Sequence, residues 1–155
     1  MEILTDQKSK MKVRDNRSSC PISTCLEIIG DNWSLVLIRD LFLERTTFTE
    51  FMNSPERISS NILTDRINKL RKYSLIEYRL HPNNRKIKQY YLTESGIDLC
   101  PLLYDLQDWS KEHLDMKFHP IAVDWYQKNE KLDRNQSIRN DIASYKDFKT
   151  QLLSL

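Results

Sequence analysis

Ile58-Ser59-Ser60-Asn61-Ile62-Leu63-Thr64-Asp65-Arg66-Ile67-Asn68-Lys69-Leu70-Arg71-Lys72 reads as one amphipathic helix. Leu63, Ile67 and Leu70 recur at i, i+4 and i+7, so they share a face that needs a core. Ser59 or Ser60 serves as the N-cap, because a hydroxyl accepts from the free N–H groups of a first turn. The opposite face holds Asn61, Thr64, Asp65, Asn68 and Lys72, with Ser60 and Lys69 beside it. Such short hydrogen-bonding side chains reach base edges or phosphates without holding a helix away from the groove. Taken alone, this face has two readings: a solvated polar surface or a DNA-reading one.

The neighbouring segments favour DNA. Upstream, Thr47-Phe48-Thr49-Glu50 matches a capping box, in which Thr and Glu each satisfy a backbone N–H of a first turn. Phe48 and Phe51 give that short helix a core face, and Asn53-Ser54-Pro55-Glu56-Arg57 is a turn. Two helices joined by a tight turn make a helix-turn-helix, with Thr47 and Thr49 at the start of its first helix. Downstream, Leu75–Leu80 alternates as a strand, His81–Lys86 is a basic turn-forming tip, and Ile87–Leu92 is the returning strand. A helix-turn-helix followed by such a hairpin is a winged helix. Residues 56–91 carry nine basic and three acidic side chains, a sum of +6 against +2 for the whole chain, so the remainder sums to −4. The positive charge is concentrated where a groove-binding surface lies. The predicted contacts are Thr47, Thr49, Ser59, Ser60, Asn61, Thr64, Asp65, Asn68 and Lys69, with Asn84, Arg85 and Lys86 in the wing.

Residues 1–19 are polar with no apolar period and read as a flexible arm. Cys20-Pro21 opens a helix carrying Ile22, Cys25, Leu26 and Ile29, and Gly30 is expected to end it as a left-handed cap. Asp31 or Asn32 caps the next helix, Trp33 to Phe42, which is apolar on more than one face and reads as central. Thr93 is expected to cap a long helix from near Glu94 to Pro120, striped by Leu99, Leu102, Leu103, Leu106, Trp109, His113 and Leu114. The far half of this stripe, Leu102, Leu103, Leu106, Trp109 and His113, reads as a dimer seam, with packing inside one chain as the alternative. The expected fold is thus mainly α with a small β-hairpin: an arm (1–19), a winged helix-turn-helix with dimerisation helices (20–118), and a helical extension (119–155) that reaches the partner subunit.

Composition narrows the function. With 155 residues, 39% hydrophobic and 30% charged, the chain suits one globular domain. No run is long enough to span a membrane, and no secretion signal opens the chain. Three cysteines, an odd and sparse set, point to a reducing compartment and hence the cytoplasm. Two glycines leave no Gly-rich phosphate loop, and no nucleophile elbow, HExxH or paired-carboxylate pattern appears, so an enzyme is not expected. Cys20 and Cys25, with His81, His113 and His119 far along the chain, make no zinc site at a recognised spacing. No cofactor is expected.

The order of these motifs resembles the HxlR-type winged helix-turn-helix regulators of bacteria. The resemblance rests on Cys20-Pro21, Gly30-Asp31-Asn32-Trp33, Leu37-Ile38-Arg39-Asp40-Leu41 and Phe48-Thr49-Glu50-Phe51. It continues through Ile58-Ser59, Leu63-Thr64-Asp65-Arg66-Ile67, Leu70, Leu75-Ile76-Glu77 and Tyr90-Tyr91-Leu92-Thr93-Glu94-Ser95-Gly96. It covers residues 20 to about 112. It implies a homodimer, built through its N-terminal and long C-terminal helices, acting on a pseudo-palindromic double-stranded operator, most simply as a repressor. Ser74 departs from the glycine usual before the first wing strand, and the tail beyond Pro120 exceeds the usual family end.

The resemblance also implies a switch, since some family members sense oxidants or electrophiles through the cysteine of the Cys-Pro pair. Cys20 matches that position. At a helix N-terminus, the dipole and free N–H groups favour thiolate over thiol, and Arg14 and Arg17 lie nearby in sequence. Against this stands a Cys20 that merely caps the helix, leaving the regulator to a small molecule or a protein partner. Cys25 and Cys100 are expected in the core. A winged helix used only for protein contact is the third class, and it needs neither a basic wing nor a short polar recognition face.

Overall fold

The computed structural model describes residues 10–14 and 16–155, so the expected arm falls partly outside it, at residues 1–9 and 15. Helices α1 (Pro21–Ile29), α2 (Ser34–Phe42), α3 (Phe48–Met52) and α4 (Ser60–Lys72) lead into strands β1 (Ile76–His81) and β2 (Asn84–Leu92). Helices α5 (Glu94–Ile97), α6 (Cys100–His113), α7 (Pro120–Asn129) and α8 (Arg134–Ser154) complete the chain. The fold is mainly helical with one antiparallel hairpin, as the sequence predicts.

The core lies beneath the helix-turn-helix. Ile38 and Leu41 of α2, Phe51 of α3, Leu63 and Leu70 of α4, Ile76 of β1, Leu92 of β2 and Ile97 of α5 are all essentially inaccessible. The i, i+4, i+7 stripe of α4 is therefore its buried face. Ser59 caps α4 by accepting from the Ile62 N–H, and Thr47 and Glu50 complete the capping box of α3.

The structure corrects the expectations around proline and glycine. Gly30 closes α1 at φ −81°, not in the left-handed region. Its requirement is steric: a Cβ there would sit 2.3 Å from the Leu26 carbonyl oxygen. The long helix from Glu94 is broken into α5 and α6, although Thr93 does cap its start. Pro101 explains the break, since inside a continuous helix it would remove a backbone bond and clash with the carbonyl of Ile97. Pro120 opens α7 instead of ending α6. The residue before a proline is pushed to extended backbone, and His119 has ψ 143°, so no helix continues through it into Pro120; α6 already ends at His113, where Leu114 turns extended. Ser74 has φ 54°, a left-handed backbone at the position where the resemblance expects glycine.

The extension packs on its own chain. Tyr145 of α8 enters the main core, edge-on to Phe42 at 5.2 Å between ring centroids, and Arg79 of β1 donates to the Leu152 carbonyl. Tyr145 Oη accepts from the buried Leu92 N–H at 2.8 Å. Burial pushes the Tyr145 phenol up to about 12, so it remains a neutral hydroxyl. A second cluster joins Cys100 and Tyr104 of α6 to Ile138 of α8, with Trp125 of α7 against it. There Tyr104 Oη and Trp125 Nε1 both donate to Asp141.

Candidate nucleic-acid interface

Helix α4 and the hairpin form the interface from the inside out. With Leu63, Ile67 and Leu70 turned into the core, the geometry of a helix leaves Ser60, Asn61, Thr64, Asp65, Asn68 and Lys72 exposed on the other side. Asn61 and Asn68 are therefore available to base edges. Thr64 donates its hydroxyl hydrogen to the Ser60 carbonyl at 2.9 Å, so its oxygen remains as an acceptor. Asp65 accepts from Arg66 at 2.5 Å. Thr49 is exposed, whereas the Thr47 hydroxyl is held by Glu50 in the capping box. Hydrogen bonds from the Thr46 and Thr47 N–H groups overcome burial and keep the Glu50 carboxylate below its ordinary range, so this cap persists in mild acid.

Asp31, at the α1–α2 junction, fixes how α4 sits. Its Oδ1 accepts from the backbone N–H groups of Trp33 and Ser34, each at 2.9 Å, and its Oδ2 from the Ser34 hydroxyl at 2.5 Å. The same carboxylate accepts from Arg66 Nε at 3.0 Å and Lys69 Nζ at 3.2 Å. Burial opposes ionisation, but Ser34, the Trp33 N–H and Lys69 together hold Asp31 well below the usual carboxylate range. Lys69, predicted as a free contact, is thus turned toward Asp31. The capping role of Asp31 was readable from its place before an apolar run. Its reach to α4 was not, because nothing local in a sequence marks a partner 35 or 38 residues away.

A second charged network underlies the α3–α4 turn. Asp40 is fully buried and accepts from Arg39, Arg45 at 3.0 Å and Ser54 Oγ at 2.7 Å. Arg39 also grips Glu56 at 2.6 Å, which holds that carboxylate near the bottom of its range, at about 2. Two cations against two carboxylates close the network, as a buried charge requires.

The wing is tighter than predicted. Pro82 and Asn83 make a two-residue turn, and β2 already begins at Asn84, so Arg85 and Lys86 lie on the strand, not in the turn. Asn84 Oδ1 accepts from the Lys86 N–H at 3.1 Å and shapes the start of the strand. Arg85 and Lys86 are exposed, and among the described residues neither is ion-paired. Tyr78 of β1 receives Lys88 of β2 at 4.5 Å and Arg71 of α4 at 4.6 Å from its ring centroid. Cation–π contacts therefore tie the wing to the back of α4.

The remaining predicted residues separate. Leu102 and Leu103 are partly buried against the main core. Leu106 and Trp109 are 46% and 58% exposed, and Trp109 stacks near His113 at 5.1 Å between centroids. Cys20 is exposed at the N-cap of α1 and makes no side-chain capping bond. Cys25 is exposed, not core, because α1 is anchored mainly at its Ile28–Ile29 end and leaves Ile22 and Leu26 exposed too. Cys100 is buried as expected, and burial pushes its thiol up to about 12. No group of described residues has the make-up of a metal site, and no helix is long and apolar enough to cross a membrane.

The family model described as HxlR-like helix-turn-helix matches residues 28–118. The HTH-type transcriptional regulator YdeP of Bacillus subtilis is 29% identical over 101 residues, 65% of this chain and 79% of YdeP. Among solved structures, the transcription factor PA1607 superposes with a TM-score of 0.61 at 30% identity, over 66% of this chain and 72% of its own. The redox regulator HypR, in its oxidized form, superposes with a TM-score of 0.56 at 24% identity, over 63% of this chain and all of HypR. These relatives are regulators, not enzymes. Helices α7 and α8 lie beyond the matched region.

Proposed function

The chain belongs to the HxlR-like helix-turn-helix family of transcriptional regulators, and from that premise we propose that it is a cytoplasmic repressor binding a pseudo-palindromic operator as a homodimer. In this reading the exposed face of α4 enters the major groove and reads bases through Asn61 and Asn68. Ser59, Ser60, Thr64, Asp65 and Thr49 border the same face, and Asn84, Arg85 and Lys86 carry the wing to the flanking phosphates or minor groove. The observation that supports it most is an exposed short-polar face on α4 together with a wing whose Arg85 and Lys86 are exposed and, among the described residues, not ion-paired.

The dimer is drawn from the apolar side chains that one chain leaves open: Ile22 and Leu26 on α1, with Trp109 and the exposed half of Leu106 on α6. Leu102, Leu103 and His113 flank that strip. The switch is drawn from Cys20. It is exposed at the α1 N-terminus, the end from which the dimer contact starts, and HypR, a redox regulator, shares the fold. Modification there by an oxidant or electrophile would tilt α1 and change the spacing of the two α4 helices, which has to match about 34 Å, one turn of DNA.

The deciding experiment is the salt dependence of binding to duplex DNA from the protein's own upstream region. Arg85→Ala with Lys86→Ala should flatten the slope of log K against log salt by about 0.9 for each phosphate that the wing no longer neutralises. An unchanged slope would refute this docking.

A further inference from the structure

Helices α2, α6 and α7 border a half-open cavity of about 590 Å³ that no part of the candidate DNA-binding surface uses. The volume falls within the range of small-molecule sites. Its walls are Leu35 and Val36 of α2, Leu106 of α6, Leu114 just beyond α6, and Ala122 and Trp125 of α7. The α7 wall lies outside the region shared with the family, so this cavity belongs to the extension. Tyr126 Oη donates to the Gln107 carbonyl at 2.7 Å and fixes α7 across the opening.

We propose that this cavity binds an uncharged, mainly aromatic or aliphatic small molecule, and that its occupancy is felt at the α3–α4 turn. The chemistry of the ligand follows from the wall. Its Arg and Glu members, Arg39, Arg45 and Glu56, are already committed to one another or to Asp40, and His119 accepts from the Ile121 N–H through Nδ1, so the rest of the wall is mainly apolar. Breaking that network to receive an ion would strand a buried charge. Polar anchoring is left to a few neutral groups such as the Ser110 hydroxyl, and Phe118 and Tyr126 add aromatic faces.

The cavity wall and the strip proposed for a partner subunit share Leu103 and Leu106 and differ elsewhere: Gln107 and Ser110 of α6, with Leu114 just beyond its end, line the cavity, whereas Leu102, Trp109 and His113 do not. What sets the cavity apart from that strip is its α7 wall of Ala122, Trp125 and Tyr126, which suits an occupant held between helices of one chain.

The route to the turn is short. Pro55, Glu56 and Arg39 all line the cavity, and Arg39 donates to Glu56, Asp40 and Ser54. A ligand with different affinity for two positions of Arg39 and Glu56 would bias the entry angle of α4. This regulatory consequence rests on the proposed DNA binding. The cavity itself does not.

The test uses the full chain and the uncharged dye N-phenyl-1-naphthylamine, with its sulfonated relative 1-anilinonaphthalene-8-sulfonate as the anionic counterpart. The expected result is saturable, blue-shifted binding of one neutral dye per chain, with the sulfonate at least tenfold weaker. Ala122→Trp should fill the space and weaken the dye at least tenfold, while Val123→Trp, outside the cavity, should not. Hydrogen exchange of the wild-type chain with dye should slow along 106–114 and 119–126, a readout that does not depend on how the variants fold. Absence of saturation, equal loss in both variants, tighter binding of the sulfonate, or protection elsewhere overturns the site. Dye binding that disappears as sedimentation shows dimer formation assigns the cavity to a second copy and also overturns it. An operator affinity that shifts with dye in the wild type but not in Ala122→Trp supports the link to α4. Dye binding without any DNA binding would refute the regulator reading alone.

Discussion

Between Ser60 and Leu92 the outward side chains include Asn61, Thr64, Asn68, Arg85 and Lys86, none of them needed by the core. Between Pro120 and Ser154 the informative side chains turn inward: Trp125 against Tyr104, Ile138 and Leu152 buried, and Tyr145 deep in the main core. The first region exposes hydrogen-bonding groups at little cost to folding. The second contributes buried aromatic area and closes a backbone donor at the end of β2. The contrast teaches that the proposed contact with DNA and the support of the fold fall to different segments. Substitutions in the two regions should therefore separate cleanly.

The sharpest break of that contrast is at Tyr145. Tyr145→Ala should cost about 3–5 kcal/mol, the range for removing a buried large aromatic, and lower operator affinity only through unfolding. Tyr145→Phe keeps the ring but leaves the Leu92 N–H buried without an acceptor, at about 1–3 kcal/mol. Chemical denaturation measures both. By contrast, Asn68→Ala should change stability by no more than about 0.5 kcal/mol while blunting discrimination between operator and random DNA. A Tyr145→Ala protein as stable as the wild type would mean that α8 does not brace the core.

A finer test concerns Asp31, which belongs to neither region but holds one of them. In Asp31→Asn the amide cannot draw Arg66 and Lys69 inward. Lys69 becomes free to meet phosphates of any sequence, while Arg66 keeps Asp65 as its remaining partner. Non-specific binding should strengthen and its salt slope steepen, by about 0.9 for each further phosphate neutralised. The preference for operator should fall about tenfold, roughly 1.4 kcal/mol, because α4 loses its rotational anchor. A purely structural Asp31 predicts the opposite for random DNA: weaker binding, in step with reduced stability.

Much of the architecture of the candidate interface was legible from sequence because its signals are local and periodic. The α4 stripe, the Ser59 cap, the Thr47–Glu50 box and the hairpin each rest on spacings within one element. What sequence reading missed depends on contacts between distant elements or on a proline read in the wrong role. Pro101 lies inside an apolar stripe that otherwise continues, so the period hid the break between α5 and α6. Cys25 shares an apolar face with Ile22 and Leu26, and periodicity alone cannot reveal that a single chain provides no cover for it. The links from Asp31 to Arg66 and from Tyr145 to Leu92 join residues whose local contexts say nothing of each other.

The network beneath the turn should show itself in acid. Glu56 has a folded-state value near 2 against an ordinary 4.5, held down mainly by Arg39. Its contribution to stability is therefore complete above pH 4.5 and is lost as pH falls from there toward 2. Glu56 is partly exposed, so solvent screening keeps the effect to less than about 1 kcal/mol. Thermal melts of wild type and Glu56→Gln should differ at pH 6 and converge near pH 2. A gap that persists at pH 2 would mean that the pair is not electrostatic in origin.

The smallest effect expected is a gain, at the hinge between the recognition helix and the wing. Ser74 holds φ 54°, where crowding of an L-residue against the following carbonyl costs roughly 1–2 kcal/mol. Its backbone oxygen is what the surroundings use, accepting from Thr93 Oγ1 at 2.5 Å and Ser95 Oγ at 2.8 Å. Ser74→Gly keeps that carbonyl and relieves the left-handed strain. Glycine also loosens the unfolded chain, which takes back about 0.4–1 kcal/mol. The net expectation is stabilisation by about 0.5 kcal/mol, with operator affinity and salt slope unchanged because α4 and the wing keep every group that meets DNA. Denaturant unfolding of the two proteins reads the difference directly. A less stable Ser74→Gly would show that the Ser74 side chain contributes more than its backbone position costs.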